Sequence, residues 1–112
     1  MDSYEVRKIA EDLVAEMGGD AEQICSGDCP IFAMRLIDRV GGGQVVSNLA
    51  TSMKDDIEPE YDVITPETRF PNPDRNPAAS HCWVKIDGRY YDAFNPEGVN
   101  AEHEMDFYNK VA

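Results

Sequence analysis

The 112-residue sequence predicts an α+β fold in which a cysteine-bearing helix packs on a small antiparallel β-sheet. Three observations predict it. Residues 2–17 carry apolar side chains at helical spacing. Residues 29–40 are apolar on almost every side and open with a cysteine. Residues 80–94 form two β-rich runs around Asp87-Gly88, a two-residue hairpin signal.

The first helix has an inner face of Val6, Ile9, Ala10, Leu13, Val14 and Met17. Asp2 or Ser3 can cap it, Asp2 and Glu5 have capping-box spacing, and Gly18-Gly19 stops it. A stripe of this kind serves core packing more often than partner binding. Residues 20–28 read as a loop. The second helix runs from about Cys29 to Val40, with Asp28 as N-cap and Pro30 tolerated in the first turn. Only Arg35, Asp38 and Arg39 interrupt its apolar surface, so burial is expected. Gly41-Gly42-Gly43 ends the helix and lacks the lysine and spacing of a phosphate loop.

Gln44 to Leu49 reads as a strand, residues 50–60 as a solvated polar segment, and Tyr61 to Thr65 as a short strand. Residues 66–79 hold Pro66, Pro71, Pro73 and Pro77, the mark of a long irregular loop that either binds or merely connects. Ser80 to Ile86 and Arg89 to Phe94 are the hairpin strands. A two-residue turn pairs Ile86 with Arg89, sets Trp83 opposite Asp92 and sets His81 opposite Phe94. Side chains alternate along a strand, so His81, Trp83 and Lys85 share a face with Tyr90, Asp92 and Phe94, while Cys82 points to the opposite, core face. Asp92 is then a diagonal neighbour of His81, at roughly 7–8 Å between backbones, within reach of a side-chain hydrogen bond. From Asn100 to Val111 a closing helix is expected, capped by Asn100 and packed through Met105, Phe107, Tyr108 and Val111. No repeat or linker divides the chain, which reads as one domain, 1–112.

A formal charge of −12, from 22 acidic and 10 basic residues, argues against direct contact with nucleic acid or an anionic membrane. It suits solubility or a basic protein partner. No apolar run approaches the ~20 residues of a membrane span, and the acidic Met1-Asp2-Ser3-Tyr4-Glu5 has no apolar signal core. A cytoplasmic location follows as the expectation. Three cysteines, an odd number, then favour free thiols over a disulfide framework.

The chemistry-bearing residues form one constellation. Cys29 opens a helix, where the dipole and unpaired first-turn N–H groups favour thiolate. His81 can accept and return a proton near neutral pH, and Asp92 can fix its tautomer. The backbone N–H of Cys29 and the side-chain amide of Gln23 are available as oxyanion donors. Trp83, on the face of His81, either lines the substrate site or packs beneath it.

These residues resemble a known group. Gln23, five intervening residues, Cys29 and then Phe32-Ala33 are similar to the oxyanion glutamine and nucleophile helix of papain-like cysteine peptidases. The order Cys, His, Asp with the histidine opening a hairpin is similar too. His81-x-Trp83-Val84 with Asp87-Gly88 and Asp92 resembles the transglutaminase-like branch of that superfamily. The resemblance covers roughly residues 23–34 and 80–98. It implies a minimal papain-like core and thioester-forming chemistry on an amide or isopeptide bond of a protein or peptide. It makes Cys29 the nucleophile, His81 the base, Asp92 its orienter and Gln23 the oxyanion donor, without a cofactor. The length suits a minimal amidase of the cell-wall or conjugate-cleaving kind.

Two readings compete with it. Cys25, Cys29, His81 and Cys82 are metal-ligand types, but adjacent His81 and Cys82 point apart on a strand, which disfavours joint ligation, so no metal is expected. The acidic run Asp55, Asp56, Glu58, Glu60 and Asp62 would serve a non-enzymatic inhibitor or adaptor that binds a basic protein.

Overall fold

A computed structural model describes residues 2–47, 57–66 and 81–106 of the chain. Helix α1 spans Ser3–Glu16. The Asp2 carboxylate accepts the Glu5 N–H at 2.9 Å, which satisfies one of the orphan donors of the first turn. Val6, Ala10 and Leu13 are buried, and Ile9, Val14 and Met17 pack partly against the same core.

The stretch read as a loop is helical. Asp20 caps a short helix α2, Ala21–Gln23, by accepting from the N–H groups of Glu22 and Gln23. A π-helical segment, Ile24–Asp28, follows and leads directly into α3, Cys29–Val40. The capping aspartate is therefore Asp20, and Asp28 makes no side-chain cap. Wider π turns occur mostly as single-turn insertions at functional sites, and no residue-level propensity announces them. Cys29 thus continues a helical path instead of opening it from a loop.

Helix α3 buries Cys29, Pro30, Phe32, Ala33, Leu36 and Ile37. Ile31 is 41 % exposed, so burial is less complete than its composition suggests. The helix closes at left-handed Gly41, whose N–H reaches the Ile37 carbonyl at 2.8 Å. Arg39 pairs with Glu16 and ties α3 to the end of α1.

The sheet contains β1 (Gln44–Ser47), β2 (Val63–Ile64), β3 (Cys82–Ile86) and β4 (Arg89–Tyr91), in the order β2-β1-β3-β4. It is mixed, not wholly antiparallel: β2 runs parallel to β1, a pairing that requires the chain to cross over between them. The other two pairings are antiparallel. The hairpin has the expected register, Ile86 to Arg89, Lys85 to Tyr90 and Val84 to Tyr91. Asp87 and Gly88 have φ of 50° and 78°, the pair of positive values that a type I′ turn needs.

Alternation along the strands separates two apolar layers. Val45, Cys82, Val84, Ile86 and Tyr91 face α1 and α3. Val46, Trp83, Tyr90 and Met105 pack on the other side. Beyond β4, Val99 exchanges both backbone hydrogen bonds with Tyr90 at 2.9 Å. Arg89 fastens the same loop through Asn100 Oδ1 at 2.7 Å and the Gly98 carbonyl at 2.9 Å. Asn100 is therefore spent on Arg89 and caps nothing; the closing element is a 3₁₀ turn, Glu102–Glu104, preceded by Ala101. Met105 is fully buried as expected. Phe107, Tyr108 and Val111, the 66–79 loop beyond Pro66, and Asp55 and Asp56 lie outside the described residues. Among the described residues no helix is long and apolar enough to cross a membrane.

Candidate functional site

The site lies where the π-helical segment, the first turn of α3, the start of β3 and the chain leaving β4 meet. His81 immediately precedes β3 and Asp92 immediately follows β4, so both sit past the last hairpin pair. The diagonal relation expected from the hairpin register brings them together. His81 Nε2 and Asp92 Oδ2 are 3.0 Å apart, and the two residues are 2 % and 1 % exposed. The second carboxylate oxygen, Oδ1, accepts the Asn95 N–H at 2.8 Å. Asn95 is itself held, because its Oδ1 accepts the Asp106 N–H at 2.9 Å. The carboxylate is therefore fixed at both oxygens and presents one of them to the imidazole.

Trp83 supports the ring from the far layer. Its ring centroid lies 5.6 Å from that of His81, tilted by 35°. Its indole N–H donates to Glu102 Oε2 at 3.1 Å, and Glu102 is itself buried. Trp83 is fully buried, so of the two roles open to it in the sequence, packing beneath His81 is the one it fills here.

The three thiols are free and converge on this dyad. Cys29, 3 % exposed, has the Cys82 thiol and the His81 ring as neighbours, and both act to lower its pKa. Cys25 is half-buried beside the backbone of Ala93 and Phe94, which works to lower its pKa. The Cys25 sulfur, a His81 ring nitrogen and an Asp92 carboxylate oxygen all lie within 4.8 Å of one another.

Their environments push the titrations apart. The hydrogen bond from Cys82 lowers the Cys29 pKa most; burial opposes it, and the neighbouring His81 adds to the lowering. Cys82 moves the other way, raised by that same bond and by burial. Cys25 is raised by burial, by Asp92 and by Cys29. Burial works against a charged His81, yet the hydrogen bonds to Asp92 and Cys29 outweigh it and lift the ring from 6.5 to about 9. Cys29 and His81 thus favour a thiolate–imidazolium pair at neutral pH, while Cys25 and Cys82 stay thiols.

Cys29, His81 and Asp92 therefore meet, with His81 between the other two. Gln23 sits on α2 with an exposed side chain, and its backbone N–H is held by Asp20. Cys82 belongs to the core layer as expected, but it also touches Cys29, because alternation sets the face of a side chain and not how close the helix across from it comes. Sequence reasoning gave Asn95 and Glu102 no role. Asn95-Pro96-Glu97-Gly98 has the composition of a turn, and an Asx residue three before it at Asp92 is the signal that could have found the Asp92–Asn95 bond. Glu102 carries no such signal. Neither protein-family models, nor curated proteins, nor solved structures give a match to this chain.

Proposed function

We propose that the chain is a thiol hydrolase, a cysteine peptidase or amidase acting on an amide or isopeptide bond, with a minimal papain-like core. The observation that carries the reading is the joint arrangement of a thiol, an imidazole beside it and a carboxylate fixed on the far side of that imidazole. Single buried cysteines are common and mean little; the three groups in working order are what a nucleophilic site requires.

In this reading the Cys29 thiolate attacks the carbonyl carbon, and the carbonyl electrons move to oxygen. With Nε2 engaged by Asp92, His81 exchanges its proton through Nδ1. The imidazolium gives that proton to the leaving nitrogen as the C–N bond breaks, leaving a thioester on Cys29 and a neutral ring. Water then attacks the thioester while His81 takes a proton from it. The C–S bond breaks, the acid departs, and the thiolate–imidazolium pair returns. Gln23 is the side-chain oxyanion donor that the resemblance offers, and its exposed position makes Gln23→Ala the direct check of that role.

Cys29 is almost fully covered, so a small acyl donor is the right first substrate. Incubation with p-nitrophenyl acetate, followed by intact-mass and peptide mass spectrometry, should trap one acetyl group on Cys29. The adduct should vanish in Cys29→Ser and form at least about tenfold more slowly in His81→Ala, since general-base partners contribute roughly 10²–10⁴-fold. Acetylation spread equally over the cysteines, or unchanged in rate without His81, would contradict the reading.

A further inference from the structure

We propose that Cys25, His81 and Asp92 form a binding site for a thiophilic divalent cation of the Zn²⁺ type, in which the cation replaces the proton between His81 and Asp92. The three donors come from three separate segments: the π-helical segment, the residue before β3 and the residue after β4. Their ligand atoms lie within 4.8 Å of one another, and the His81–Asp92 edge of that triangle is already 3.0 Å. Tetrahedral zinc, with bonds of about 2.0–2.3 Å, needs neighbouring donors roughly 3.3–3.8 Å apart. The His81–Asp92 edge has only to open slightly, and the sulfur sits on the π turn that separates α2 from α3.

The surroundings resemble those of built metal sites. The distal oxygen of Asp92 is held by the Asn95 N–H, and the His81 ring rests on Trp83, so two of the three ligands have their orientation set by outer contacts. Sulfur, nitrogen and one carboxylate oxygen form a borderline-soft set that suits Zn²⁺ and disfavours Ca²⁺ or Mg²⁺, which take oxygen ligands. Three protein ligands leave a fourth position for water. Binding breaks the hydrogen bond between His81 Nε2 and Asp92 and releases the Cys25 proton together with the proton of a charged His81 to solvent. This differs from the four-residue set that the sequence offers: Asp92 enters, while Cys29 and Cys82 stay outside it.

The site does not depend on the thiol chemistry proposed above, and one titration of the full chain tests it. Co²⁺ is titrated into metal-free protein and followed by absorbance, then displaced with Zn²⁺ against a chromophoric chelator. One equivalent should give a thiolate-to-cobalt band and tetrahedral visible bands. Cys25→Ser should lose the thiolate band and at least tenfold in Zn²⁺ affinity, and Asp92→Asn should lose a similar factor. Cys29→Ser should keep both within about twofold. Equal urea midpoints of the variants establish that folding is intact. No thiolate band, or a band and affinity that survive Cys25→Ser, overturns the site.

Discussion

Asp92 decides the behaviour of the site at the scale of single residues. One of its oxygens is committed to the Asn95 N–H and the other to His81, so the imidazole meets a carboxylate that cannot turn away. The charge on His81 in turn supports the thiolate of Cys29. Asp92→Asn keeps the shape and removes the charge. His81 should then lose its proton more easily, and the Cys29 thiol should ionise at higher pH. We expect the acylation rate of Cys29 near neutral pH to fall by roughly 10²-fold or more, as when the orienting carboxylate of a triad is neutralised. The urea midpoint of the variant, measured beside the rate, separates this from unfolding. A rate within twofold of wild type would mean that Asp92 only closes a turn.

Local signals account for most of what could be read at the scale of elements. Asp2 and the apolar stripe of residues 6–17 specify α1, and the bounds of α3 follow from its apolar run and Gly41. Asp87-Gly88 sets the hairpin register, and that register carries the pairing of His81 with Asp92. What escaped depends on tertiary partners. The π turn at Ile24–Asp28 keeps the chain helical where Ser26-Gly27 reads as a loop. The parallel pairing of β2 with β1 rests on a crossover that no local pattern encodes. Asn100 has the chemistry of a cap but is recruited by Arg89. The turn after β4 is similarly dependent on a contact: Gly98 has φ +80°, and a Cβ there would lie 2.5 Å from Tyr91 Cε1. Gly98→Ala must therefore strain the backbone and displace a buried ring at the same time. A loss of about 1–3 kcal/mol in urea unfolding is expected. An unchanged midpoint would show that the 95–99 turn has another accessible packing.

The whole molecule couples the site to stability through protons. Folding raises His81 from 6.5 to about 9, so its contribution is fully present below pH 6.5 and is lost as pH rises through about 9. Folding lowers Cys29 from 9.0, so its contribution is present above that value and is lost as pH falls through the lowered one. Between 6.5 and 9.0 the folded pair holds one proton, on His81, and the unfolded pair also holds one, on Cys29. The contribution of the pair should therefore be flat across that window and decline below it. Urea midpoints from pH 5 to 9, taken as the difference between wild type and a Cys29→Ser/His81→Gln double variant, check this. A difference that stays flat below 6.5 would show that the folded pair takes up the second proton as readily as the unfolded pair, so that the folded state does not hold the thiolate–imidazolium form.

The central claim is that one thiol of three is activated, and that His81 shares with Cys82 in activating it. Its most direct measurement is the rate of iodoacetamide alkylation at Cys25, Cys29 and Cys82 across pH, resolved by peptide mass spectrometry, in wild type and His81→Ala. The account predicts that Cys29 is modified fastest, with a midpoint well below the ~8.5 of an ordinary thiol. Cys25 and Cys82, both raised, should lag at every pH below that value. Removing His81 should move the Cys29 midpoint upward, and each unit by which the midpoint passes neutral pH should cost roughly tenfold in rate there. Three thiols of equal reactivity, or a Cys29 profile that ignores the loss of His81, would contradict it.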